Sequence, residues 1–225
     1  MPTLYAHTND GYVARWNQSS WSNARNNASG TAVASTGVGH FAGIQGARTA
    51  SRGGGNVYHI YRSFFYFDTS AISSNVDSAT LKIRGYSNTG GDVIALKSNS
   101  DIETLGTGDF NAIEGWNTTT DGSGGGDNES SVTKYSNEIT SWSNSGYVDI
   151  ALNAQALADM RDDNTVYIAL VNFDYDLKDI EPTGFSTHRN GLYYTNYGGT
   201  SRDPYIDFTL AAITTNTSIF FGTNF

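Results

Sequence analysis

Apolar and polar positions alternate along most of this chain, which is the period of extended strands. The densest case is VYHIYRSFFYFD. It places Val57, His59, Tyr61, Ser63, Phe65 and Phe67 on one side and Tyr58, Ile60, Arg62, Phe64 and Tyr66 on the other. Both sides are largely apolar or aromatic, so the run predicts a central strand between two layers, or one covered by loops. It stops at Asp68-Thr69-Ser70, a polar corner where Asp68 is expected to bond backbone N–H groups of the turn. NVDSATLKIRGYS then predicts a half-buried strand, with Ala79, Leu81 and Ile83 inward and Thr80, Lys82 and Arg84 outward. VIALKS follows after the turn NTGGD.

Further strands are predicted at TLYAH and GYVARW, on either side of the turn Asn9-Asp10-Gly11, and at SGYVDIALN, NTVYIALVNFD, GLYYTNY and DPYIDFTL. One helix is predicted at NAQALADMRDD, with Asn153 as N-cap and Ala154, Leu157, Ala158 and Met160 as its apolar side. Between residues 17 and 55 the pattern dissolves, so that segment is expected to be a long irregular loop, with VGHFAGIQ as a short strand inside it. Residues 102–137 are also less regular, and DGSGGGDNESS has the composition of a flexible loop. The total is about ten strands and one short helix, the load of an all-β, antiparallel two-sheet sandwich of jelly-roll type. One such domain is expected over residues 1–211, followed by a C-terminal apolar arm over 212–225.

Composition narrows the function classes. The chain has 225 residues, no cysteine and a formal net charge of −9. Disulfides, zinc–thiolate sites and cysteine nucleophiles are excluded. No Lys/Arg run supplies the basic face that non-specific nucleic-acid binding requires. No apolar run is long enough to span a membrane. The first ten residues carry neither a basic segment nor an apolar core, so no Sec-type leader is expected. The chain is expected to be made in a cytoplasm.

The residues around the aromatic strand carry a resemblance. An Arg within an aromatic run, then FDTSAI, then SATLKI resembles the DNRLRE-type domain, a carbohydrate-binding-module-like jelly roll of bacterial and archaeal surface proteins. The match covers mainly Tyr58 to Lys97 and implies the fold, not an activity. The fuller chain is similar to virion structural proteins of marine bacteriophages through GTGDFNAIEGW, YSNEITSW, GYVDIALNAQALADM, DYDLKDIEPTG and GTSRDPYIDFTL. That resemblance implies a non-enzymatic virion protein released by lysis. It would be a capsid decoration or appendage subunit, a homo-oligomer assembled against the major capsid protein or other virion subunits. The alternative is a glycan-binding tail fibre or a cell-surface carbohydrate-binding module.

Candidate chemistry is sparse. His7, His40, His59 and His188 follow no metal-ligand spacing, and the carboxylates of RDDN and DYD sit beside expected strand ends. No catalytic residues are assigned. Because carbohydrate-binding jelly rolls often hold a structural calcium, Asn9, Asp10 and Asp207 are a candidate oxygen set, as are Asp121, Asp127 and Glu129. The alternative for both is ordinary solvated turns. Candidate sugar platforms are Trp16 and Trp21, in the polar context RWNQSSWSN, with Trp116, Trp142, Tyr193, Tyr194 and Tyr197 behind them. The arm carries Ile213, Ile219, Phe220, Phe221 and Phe225, which either pack back on the domain or dock on a partner chain.

Overall fold

The aromatic run forms strand β5 (Gly55–Asp68), the longest strand of this computed structural model, which describes residues 1–35, 42–52, 55–99, 104–117 and 126–212. Around it stand β1 (Thr3–Tyr5), β2 (Gly11–Gln18), β3 (Ala32–Ser35), β4 (Ala42–Arg52), β6 (Val76–Asn88), β7 (Val93–Lys97), β8 (Tyr147–Ala151), β9 (Thr165–Asn172), β10 (Thr187–Tyr193) and β11 (Tyr205–Leu210). The two α-helices are α1 (Trp21–Arg25) and α2 (Ala154–Asp162), with a 3-10 turn at Thr107–Asn111 and a π turn at Phe173–Leu177. The chain is all-β, and its strand pairs are antiparallel. None of the helices among the described residues is long and apolar enough to cross a membrane.

β5 is buried on both faces, as its two-sided pattern predicts. Phe65 and Phe67 share one hydrophobic cluster with Leu81 and Ile83 of β6, Val148 and Ile150 of β8, and Ile206 and Phe208 of β11. Ile60, Phe64 and Tyr66 belong to a second cluster, with Val13 of β2, Ala24 of α1, Phe110 of the 3-10 turn and Leu177 of the π turn. Each fully buried Leu, Ile or Phe contributes about 1.5–3 kcal/mol, so these two clusters dominate the stability of the sheet. One edge of β5 pairs with β2; the other pairs with β4 along its first half and β9 along its second. β6 makes the corresponding turn between strand groups. Its first half pairs with β11 and β8, and its last residues pass to β10.

Arg62 stands in the middle of the apolar side of β5 and is completely buried. Its guanidinium holds both oxygens of Asp176, at 2.8 and 2.7 Å, and lies between the rings of Phe110 and Trp116, 4.0 and 4.2 Å away. A second buried arginine, Arg25 of α1, donates to the backbone oxygens of Asp176, Leu177 and Gly126. Together they tie three irregular segments to the central strand. A charge this deep is tolerable only when paired and hydrogen-bonded throughout.

The corner after β5 behaves as expected: Asp68 Oδ1 accepts from the Ser70 N–H at 3.0 Å and from its hydroxyl at 2.6 Å. Helix α2 is capped by Asn153, whose side chain accepts from the Ala156 N–H at 3.1 Å. Its buried side differs from the expected one. Ala156, Asp159 and Met160 face inward, Leu157 is half-buried, and Ala154 is exposed.

The segment 17–55 is not the long irregular loop expected from its composition. It contains the end of β2, α1, β3 and the eleven-residue β4. β4 reads AGIQGARTASR; its first four residues fall within the short strand expected at VGHFAGIQ, and the remaining seven have no apolar alternation to find. It is a strand because its backbone pairs with β5 on one edge and β10 on the other. Residues 213–225, the expected apolar arm with Ile213, Ile219, Phe220, Phe221 and Phe225, lie outside the described residues, as do His40 and Asp121.

Candidate functional site

Directly paired residues in an antiparallel sheet point their side chains to the same face. The register therefore brings together one face of four strands, on which Ala14, His59 and Tyr61 are buried and Arg189 is half-buried. Arg189 of β10 pairs with Gly46 of β4, Gly46 with Tyr61 of β5, and Tyr61 with Ala14 of β2. In the adjacent row Thr187, Arg48 and His59 stand side by side. Gly46 places no side chain between Arg189 and Tyr61, so the guanidinium reaches the ring: Arg189 Cζ is 5.5 Å from the Tyr61 ring centre and its Nη1 is 3.5 Å from the hydroxyl.

Trp16 extends this surface at the β2 edge. The register of β2 against β5 shifts between Arg15 and Gln18, and Asn17 has φ of 54°, a left-handed backbone at a bulge. The bulge leaves the Trp16 indole 37% exposed and tilted over Tyr61, with ring centres 6.2 Å apart. At the other end Tyr86 lies across Gly191, where a Cβ would come within 2.6 Å of its ring. Tyr86 meets Tyr193 at 5.3 Å, and Tyr193 meets Tyr197 at 5.1 Å. Arg202 caps this pair, 4.5 Å from the Tyr193 ring centre and 4.1 Å from that of Tyr197. The result is an aromatic–arginine band running from Trp16 across the sheet to Arg202.

The protonation states on the band follow from burial and charge. Burial, then Arg48 and Arg189, push His59 below its ordinary value, so its imidazole is neutral at neutral pH. Burial raises Tyr12 and Tyr86, which stay protonated phenols. The band thus offers flat neutral rings and fixed positive charge.

Trp21 does not join it. The sequence suggests an exposed platform, but Trp21 is the first residue of α1, whose N-cap is Ser20, and its ring is buried edge-on against Tyr58. Its indole N–H donates to Asp179 at 2.8 Å. Trp116 covers Arg62, and Trp142 is buried with its N–H on the Gly191 carbonyl at 3.1 Å. Tyr194 is fully buried, bonded to Ser63 at 2.7 Å, so only Tyr193 and Tyr197 of that run face the band.

Of the candidate calcium ligands, Asp10 is buried and accepts from the Thr195 N–H at 3.0 Å and its hydroxyl at 2.7 Å. Burial raises it to about 7, against the pull of the Thr195 bonds, and Asp203 adds to the rise. The Asn9 N–H donates to His7 Nδ1 at 3.4 Å, and Asp207 accepts from the Thr3 hydroxyl at 2.7 Å. Asp127 accepts from the Glu129 N–H, and Glu129 pairs with Lys134. Among the described residues the three-carboxylate group is instead Asp92, Glu138 and Asp174, with oxygens within 4.8 Å of one another. Burial, then Asp92 and Asp174, raises Glu138. The carboxylates of RDDN and DYD separate: Asp162 pairs with Arg161, Asp163 lies 3.7 Å from Lys97, and Asp176 is the partner of Arg62.

Arg189, Tyr86 and Arg202 escape a sequence reading because their neighbours come from other strands. The fold and the band define an all-β antiparallel protein with an aromatic–arginine sheet face. No family model matches the chain, and no curated protein matches it.

Proposed function

We propose that this chain is a non-enzymatic structural protein of a bacteriophage virion, a capsid decoration or appendage subunit that uses the aromatic–arginine band as its docking face. The observation that carries the reading is the band itself. Tyr61, Arg189 and Tyr193 are held on paired strands, Trp16 stands at a bulge, and Arg202 is packed on Tyr193 and Tyr197, so little side-chain freedom is lost when a partner arrives. Aromatic and arginine side chains are those that dominate binding energy at protein surfaces. The similarity of GTGDFNAIEGW, GYVDIALNAQALADM and GTSRDPYIDFTL to virion proteins points the same way. The net charge of −9 favours a soluble, mutually repelling subunit before assembly. The partners would be the major capsid protein or other virion subunits, with a homo-oligomer as the assembling unit.

The second reading, a glycan-binding tail-fibre or cell-surface module, draws on the same band, because the exposed Trp16 indole, with half-buried phenols beyond it, can stack on sugar rings.

Electron microscopy and mass spectrometry of particles purified from the source culture test the proposal. The expected result is stoichiometric chain in the particles, with density on the capsid lattice or the tail. Absence from particles would remove the virion reading and leave the cell-surface module.

A further inference from the structure

Carboxylates outnumber cations in this chain, 22 to 13, so a basic side chain that lacks an acidic partner stands out. All four lysines are paired: Lys82 with Asp149, Lys97 with Asp159, Lys134 with Glu129 and Lys178 with Asp174. Arg25, Arg62 and Arg161 are paired as well. Among the described residues Arg15, Arg48, Arg84, Arg189 and Arg202 have no carboxylate partner, and the Arg15 guanidinium is taken up by Asn23, Ser29 and Gln18. Three of these five are on the band. Arg48 and Arg189 flank His59 and Tyr61 in adjoining rows, and Arg202 covers Tyr193 and Tyr197. The Nε of Arg189 is buried with no hydrogen-bond partner, a cost that an incoming anion would relieve.

The geometry points to an acidic polysaccharide as the occupant of the band, with the open Trp16 indole against a sugar ring and Arg189 and Arg202 against its carboxylates. This rests on the second reading above, in which the band faces a glycan and not another virion subunit. A neutral glycan would leave the arginines unanswered. Nucleic acid fits less well, because its affinity comes from neutralising many phosphates, and the band offers three arginines and no lysine on a molecule of net charge −9. A glycan that alternates uronate with neutral sugar matches separated guanidinia with rings between them.

Affinity electrophoresis of the full chain in gels containing hyaluronan, dextran, polyglutamate or oligothymidylate tests this. Hyaluronan is expected to retard the protein, and dextran is not. Arg189→Gln and Arg202→Gln should each weaken retention about tenfold, the effect of losing one charge-assisted contact. Arg84→Gln, beside Tyr147 on β6, should leave it unchanged. Thermal melts accompany each variant, and Arg202→Gln, which has no ion pair to lose, keeps the test valid if Arg189→Gln unfolds. The inference is overturned by no retention on hyaluronan, equal retention on dextran, retention that both substitutions leave intact, or preference for polyglutamate or oligothymidylate. A chain present in particles but indifferent to hyaluronan would remove this inference and leave the virion proposal standing. A chain that binds hyaluronan but is absent from particles would do the reverse.

Discussion

Asp10 shows how one buried carboxylate can couple the fold to pH. It joins the turn between β1 and β2 to the segment after β10 through Thr195. Its folded value near 7 lies above the ordinary aspartate value of 3.8. Between those limits the folded chain holds a proton that the unfolded chain has released. Stability from this group therefore falls as pH rises through that window and stays low above it. Urea denaturation at pH 5 and pH 8 should show Asp10→Asn losing less stability over this interval than the parent chain, by about 2 kcal/mol. Equal pH slopes in the two proteins would mean that Asp10 titrates as an ordinary carboxylate. His59, pushed below its usual value, acts oppositely, losing stability as pH falls through its unfolded value, and it cancels in the comparison.

Elements here are fixed by their neighbours as much as by their own residues. The crossing of β6 onto β10 depends on Gly191, where the β10–β6 register shifts. A methyl group there would sit 2.6 Å from the Tyr86 ring and 2.7 Å from the Ser87 hydroxyl, and the Tyr86 ring is large and packed against Tyr193. Gly191→Ala should cost about 1–3 kcal/mol through overpacking and move Tyr86 off the band. A thermal melt and the near-ultraviolet tyrosine dichroism read both effects. An unchanged melt with unchanged dichroism would show that the crossing tolerates a side chain.

At the scale of the whole molecule the last described strand is already paired on both edges. β11 is hydrogen-bonded to β1 on one edge and β6 on the other and ends at Leu210. Deleting residues 213–225 is therefore expected to shift the melting temperature by less than about 2 °C, because a loss of even 1 kcal/mol would move a chain of this size by about 2–4 °C. Under the proposed virion reading the arm adds to the docking contact of the band, so the same deletion should weaken binding in reconstitution on particles. A large fall in melting temperature would place the tail in the core instead.

The sequence alone determined what depends on local pattern. Two-sided hydrophobicity made β5 central, strict alternation set the inward face of β6, Asp68 marked the corner, and Asn153 marked the start of α2. Those features are legible because side-chain periodicity and short-range hydrogen bonds are written within a few residues. The tertiary structure decided the rest. Beyond Gln45, β4 has no apolar alternation and is extended because β5 and β10 supply its hydrogen bonds. Trp21 and Trp16 stand in the same polar stretch, yet one caps a core and the other lies open, since a helix start and a bulge separate them. The band joins Trp16, Tyr61, Arg189 and Arg202 from distant parts of the chain, and its members become neighbours only through strand register, which no local pattern encodes.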